Sequence, residues 1–224
     1  MLFPPRCLLC GMALSSWETL CSRCKSELER TRLGERFRCE WCQEPLEDLR
    51  ADICHVCATH DRGFDRVRSL GPYEGGWGEL VRILKFAKER RVALLLARYM
   101  TTYLLDKRPF GKIDAITYVP MRRAERKRRG FNQAHLLARA LGKQLLIPVS
   151  SLTSKVRRTP PQAGLSARER RKNLRGAFRQ VRFAKGKVLL VDDVYTTGAT
   201  VEECARTLKD GGHEAICVLT VARS

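Results

Sequence analysis

The sequence predicts an α/β fold: a parallel sheet with helices on both faces, preceded by a small cysteine-rich module. Three observations predict it. Eight of the 10 cysteines form four C-x-x-C pairs near the N-terminus. Beyond residue 62, short apolar runs alternate with helical patterns, as in chains that wind a parallel sheet. Residues 188–191 are four apolar residues running into Asp192-Asp193 and a Thr/Gly turn. That is a buried strand ending at a loop where open α/β sheets bind ligands.

The module, residues 1–62, comes first. Its pairs are Cys7/Cys10, Cys21/Cys24, Cys39/Cys42 and Cys54/Cys57. A C-x-x-C turn aims two thiolates at one ion, and two such turns complete a tetrahedral site. Each gap between partner pairs fits a short hairpin. One zinc is therefore assigned to Cys7, Cys10, Cys21 and Cys24, and a second to Cys39, Cys42, Cys54 and Cys57. An interleaved pairing stays open at this level. Disulfides are disfavoured in a reducing compartment, and a redox pair would sit in a βαβ context that is absent here. The segment has few large apolar residues, and structural zinc supplies roughly 10–16 kcal/mol per site in comparable modules. Eight thiolates leave no open coordination position, so the role is structural. His55 reads as a bystander.

Residues 63–224 carry the α/β pattern. Gly75-Gly76 precede a helix through Leu80, Ile83, Leu84 and Ala87, and a second helix covers about 92–105. Residues 113–119 read as a strand. A basic loop follows, with Arg122, Arg126 and Arg129 as candidate pyrophosphate ligands, since guanidinium forks match phosphate oxygens. A helix then runs through Ala134, Leu137 and Leu141. Residues 147–152 read as a short strand. Residues 153–164 read as a mobile loop, with Arg158 and Gln162 as candidate contacts. Ser166 and Glu169 form a capping box. Residues 214–221 are the final strand, and Cys204 and Cys217 read as buried thiols.

The stretch Asp192, Asp193, Thr196, Thr197, Gly198, Ala199, Thr200 precedes a helix closed by Gly211-Gly212. It resembles the phosphoribosyl-pyrophosphate motif of type I phosphoribosyltransferases. The resemblance implies that the two aspartates hold the ribose hydroxyls and help place Mg²⁺. It also implies that residues 196–200 wrap the 5′-phosphate at a helix N-terminus. Further strings fall in order: Lys85-Phe86, Val119-Pro120, Arg129-Gly130-Phe131-Asn132-Gln133, Leu165-Ser166 and Gly176-Ala177-Phe178. With the four C-x-x-C pairs, nearly the whole chain resembles the ComF family of zinc-ribbon-plus-phosphoribosyltransferase proteins. Met121 stands where that family more often has Leu, a volume-conserving change. The resemblance implies handling of internalised single-stranded DNA during natural competence, beside a helicase partner.

Charge points the same way. Residues 1–62 hold 9 Lys/Arg against 10 Asp/Glu, a balance of −1; residues 63–224 hold 34 against 14, a balance of +20. So large an excess suits a polyanion beyond one small phosphorylated ligand. Two other readings stay open. One is a metabolic phosphoribosyltransferase, although no hood element that would grip a base is visible unless the zinc module serves. The other is a non-catalytic adaptor that keeps the fold. Aromatic residues make up only 7% and show no stacking pattern that would place a DNA surface. The longest apolar run is far too short to span a bilayer, and no secretory signal pattern is present. The expectation is a cytoplasmic protein without membrane insertion.

Overall fold

The computed structural model describes residues 4–87, 90–159 and 166–224. Six strands are present among them: β1 (Arg66–Pro72), β2 (Ala115–Tyr118), β3 (Thr153–Lys155), β4 (Phe178–Gln180), β5 (Val188–Tyr195) and β6 (Ile216–Arg223). Four form a parallel sheet in the order β1-β6-β5-β2, while β3 and β4 pair antiparallel as a separate ribbon. Leu189, Leu190, Val191, Val218 and Leu219 are fully buried, as expected where both faces of a parallel sheet are covered.

The helices divide between the faces. α1 (Ser22–Arg30) and α2 (His55–Thr59) belong to the cysteine module. α3 (Gly75–Arg82), α4 (Arg90–Lys107) and α6 (Gln133–Leu145) cover one face, their core centred on Trp77, Leu80, Leu96, Met100, Leu137 and Leu141. α8 (Ala199–Asp210) covers the other face with Val201, Cys204, Ala205 and Leu208, joined by Leu174 of α7 (Ala167–Leu174). Between α3 and α4, residues Ile83–Ala87 form a π-helical turn. Such turns widen a helix locally and redirect a side chain.

The cysteine module is built into this core. Cys7, Leu14, Leu20 and Leu28 pack with the α3/α4/α6 layer, and Cys39, Cys42 and Cys57 pack with the α8 layer. The two halves of the module thus clasp the sheet from opposite faces around its edge strand β1. The chain between them and the first turn of the second half satisfy that edge. Leu33 N–H donates to Leu70 O, Val67 N–H donates to Trp41 O, and Ser69 N–H donates to the Gln43 side-chain carbonyl. An exposed edge strand invites pairing with another chain, and here the module occupies it. The division at residue 62 is one of sequence composition; packing crosses it.

Several expectations need correction. The strand anticipated at 147–152 is a single bridge, Ile116 to Val149, and β3 begins only at Thr153. Part of the anticipated mobile loop is therefore sheet. Arg157 Nη2 also ties it down by donating to the carbonyls of Asn173 and Arg175. The basic loop after β2 is a helix, α5 (Arg123–Arg129), closed by Gly130 at φ 88°. Arginine is a good helix former, so a run without apolar periodicity still winds. β1 had no clear signal, because Arg66, Arg68, Ser69 and Gly71 break its apolar run. The capping box at Ser166 and the burial of Cys204 and Cys217 are as expected.

Candidate functional site

Each half of the cysteine module repeats one local structure. The first pair sits on a hairpin turn, where Cys7 N–H donates to Met12 O and Gly11 N–H to Cys7 O. The third pair copies it, with Cys39 N–H to Glu44 O and Gln43 N–H to Cys39 O. The second and fourth pairs open α1 and α2, with Cys21 and Cys54 at the N-caps. The sulfurs of Cys7, Cys10, Cys21 and Cys24 lie within 4.8 Å of one another, as do those of Cys39, Cys42, Cys54 and Cys57. Sequential pairing is therefore the arrangement, and the interleaved one is excluded. Cys10 and Cys21 sulfurs are 3.7 Å apart, as are those of Cys42 and Cys54. A tetrahedron with Zn–S bonds of about 2.3 Å has edges close to that. The donor set fits zinc in both sites, and His55 belongs to neither.

The second site lies at the C-terminal half of β5. Asp192 and Asp193 are the fifth and sixth residues of the strand, with Asp192 in register with Thr220. Lys85, carried by the π-helical turn, meets Asp193 Oδ2 at 3.2 Å. Asp192 accepts the Asp193 backbone N–H at 2.9 Å. Its carboxyl is pushed up to about 8, chiefly by its enclosure and then by the negative Asp193; Lys85 and Lys155 work in the opposite direction. The site therefore holds one carboxylate neutralised by a lysine and a second that favours its proton.

The turn after the acids is held rigidly. Gly198 caps α8 with φ 79°, and a Cβ there would run into the Tyr195 hydroxyl and Glu202 Oε1. Both conformation and space therefore demand glycine. Thr197 and Thr200 are half-buried and Thr196 is exposed. Glu202, in the first turn of α8, is buried and pairs with Arg62 at 2.5 Å and with Arg171 at 3.0 Å. Arg62 also donates to the Tyr195 hydroxyl at 2.5 Å and to Cys57 Sγ at 3.8 Å. Burial weakens the charge on Arg62, but Tyr195 and Glu202 more than offset it and raise its pKa. From the other side, the Arg223 guanidinium lies 4.9 Å over the Tyr195 ring and donates to the Cys42 carbonyl. Two arginines thus tie the second four-cysteine site to the residue that begins the turn.

Of the anticipated basic contacts, Arg122 and Arg126 line a cavity of about 520 Å³ beside β2 together with Lys155, whereas Arg129 does not line it. Arg158 is exposed, and Gln162 lies outside the described residues. Sequence reasoning missed Arg62, Tyr195 and Glu202. Nothing local in the chain announces them, since Arg62 and Tyr195 are 133 residues apart.

Residues 1–58 match the double zinc ribbon domain. The whole chain is 32% identical to Competence protein F of Haemophilus influenzae, covering 98% of this chain and 97% of that protein. It is 33% identical to the DNA utilization protein YhgH of Escherichia coli K12, covering 99% and 98%. It is 25% identical to Competence protein ComFC of Streptococcus pneumoniae, covering 97% and 100%. Two four-cysteine sites in a double zinc ribbon, fused to a parallel α/β sheet and aligned end to end with these relatives, establish that the chain belongs to the ComF family.

Proposed function

We propose that this protein binds phosphoribosyl pyrophosphate with Mg²⁺ at the end of β5 and handles single-stranded DNA during DNA uptake, in the cytoplasm and beside a helicase partner. The observation that carries the reading is the Asp192–Asp193 pair, countered by Lys85 and followed by a glycine-dictated turn into α8. Carboxylates suit ribose hydroxyls and a hard cation alike. The backbone N–H groups of Ala199 and Thr200, in the first turn of α8 where no intrahelical acceptor is available, suit a phosphate. The carboxylates fit Mg²⁺ in donor chemistry, and the cation would supply charge to a pyrophosphate. Arg122, Arg126 and Arg129 offer further cations for it. The names of the relatives, competence and DNA utilization, support the DNA half of the reading. No helix among the described residues is long and apolar enough to cross a membrane.

The test is calorimetry with Mg²⁺ and phosphoribosyl pyrophosphate on the wild type and on Asp192→Asn with Asp193→Asn. Hydrogen bonds to charged groups contribute roughly 1.5–3 kcal/mol each. The double variant should bind at least about a hundredfold more weakly while keeping its circular dichroism. Unchanged affinity would remove the site. Turnover of a free base without any DNA binding would favour a metabolic enzyme instead.

A further inference from the structure

A second cavity, of about 660 Å³, adjoins the 520 Å³ one, and the two share Tyr118, His135 and Ser151. Together they make one groove along the β2 edge of the sheet. At one end stand Arg122, Arg126 and Lys155, and at the other Arg139 and Lys143. No carboxylate lines either cavity among the described residues. His135, Arg139 and Lys143 follow one another at four-residue steps on α6, so they form a stripe about 12 Å long on one helix face. Tyr118 and His135 meet in the middle with ring centroids 4.6 Å apart and planes tilted by 37°. Both are half-buried, each leaving part of its surface open. Burial, then the neighbouring Arg139 and Arg126, keep the imidazole neutral, which leaves it a flat ring for stacking rather than a third cation.

We infer that this groove is the path of single-stranded DNA, with Tyr118 and His135 as the stacking platform and Arg139, Lys143 and Lys155 as phosphate contacts. Cations spaced along a groove around aromatic rings are what a single strand requires and what a duplex, with its bases stacked inside, does not use. The inference rests on the DNA half of the proposed function and adds a location to it. It also adds a neighbour. Lys155, at the groove's near end, acts electrostatically on Asp192, so a strand in the groove passes beside the phosphoribosyl site.

The test is fluorescence anisotropy with a labelled oligothymidylate at several salt concentrations. Arg139→Glu with Lys143→Glu should weaken binding at least about a hundredfold in low salt. The slope of log affinity against log salt should shrink by about 1.4, at about 0.7 per lost phosphate contact. Arg98→Glu with Lys107→Glu, the same charge change on α4, is the control and should cost less than about fivefold. Tyr118→Ala with His135→Ala should lose about tenfold or more, and Tyr118→Phe should retain affinity because the ring is kept. All four cations reversed are exposed, so folding is not at stake in those variants. If the wild type binds and the groove variants match the α4 control, the groove is wrong and the DNA reading stands. If the wild type does not bind oligothymidylate in low salt, both fall. Equal binding of a duplex, indifferent to Tyr118 and His135, also overturns the single-strand path.

Discussion

Asp192 behaves unlike an ordinary aspartate. Its folded carboxyl is held up to about 8, against about 3.9 in an unfolded chain. Between those values the folded state keeps a proton that the unfolded state releases. Stability must therefore fall as pH rises through that window and level off above it. The measurement is urea unfolding of wild type and Asp192→Asn from pH 6 to 8, where the thiolates keep their metal. The wild type should lose stability relative to the variant as pH rises. Parallel curves would show that Asp192 ionises normally. The acids and the turn after them were legible in the sequence because they are consecutive. Their electrostatic state was not, because it depends on Lys85 and Lys155 arriving from other elements.

Among the elements, β1 shows what a chain pattern hides. Its free edge is closed by the segment joining the two ribbons and by the first turn of the second ribbon, where Gln43 does part of that work. Gln43 is 1% exposed, sits at φ 59°, and accepts the Ser69 N–H at 2.6 Å. The equivalent turn in the first ribbon has Gly11 at φ 74°. Glycine would suit the backbone, but only a long amide reaches the strand. Gln43→Ala should leave the zinc content at two ions and cost about 1–3 kcal/mol for the stranded N–H, read by denaturant midpoint. A neutral result would mean that water replaces the amide. The same logic explains which elements were readable. β5 and α8 carry their own apolar periodicity. α5 is too polar to show one, β1 takes its outer-edge partners from residues 33–43, and the Tyr118–His135 pair spans two elements with no shared motif.

For the molecule as a whole, the two zinc sites are not equivalent. The first buttresses the α3/α4 face. The second holds Arg62 and Arg223 against Tyr195, at the start of the turn into α8. Cys39→Ser and Cys10→Ser should each lose one ion by elemental analysis. Cys39→Ser should weaken phosphoribosyl pyrophosphate binding by tenfold or more, and Cys10→Ser should lower stability with a smaller effect on affinity. Equal affinity loss in both would deny the link. Chelation of both ions should destabilise the sheet along with the ribbons, since Leu20 and Leu28 are wholly buried in its core. The closed edge of β1 also bears on how the chain is made. Ser69 of β1 bonds Thr220 of β6, 151 residues further on. At about 5–20 residues per second of synthesis, that partner arrives roughly 8–30 s after β1 has left the ribosome. The ribbons, which precede β1 and need only metal and local turns, are on hand throughout that interval. They cover its outer edge, so that only the edge awaiting β6 stays open to other nascent chains in the meantime.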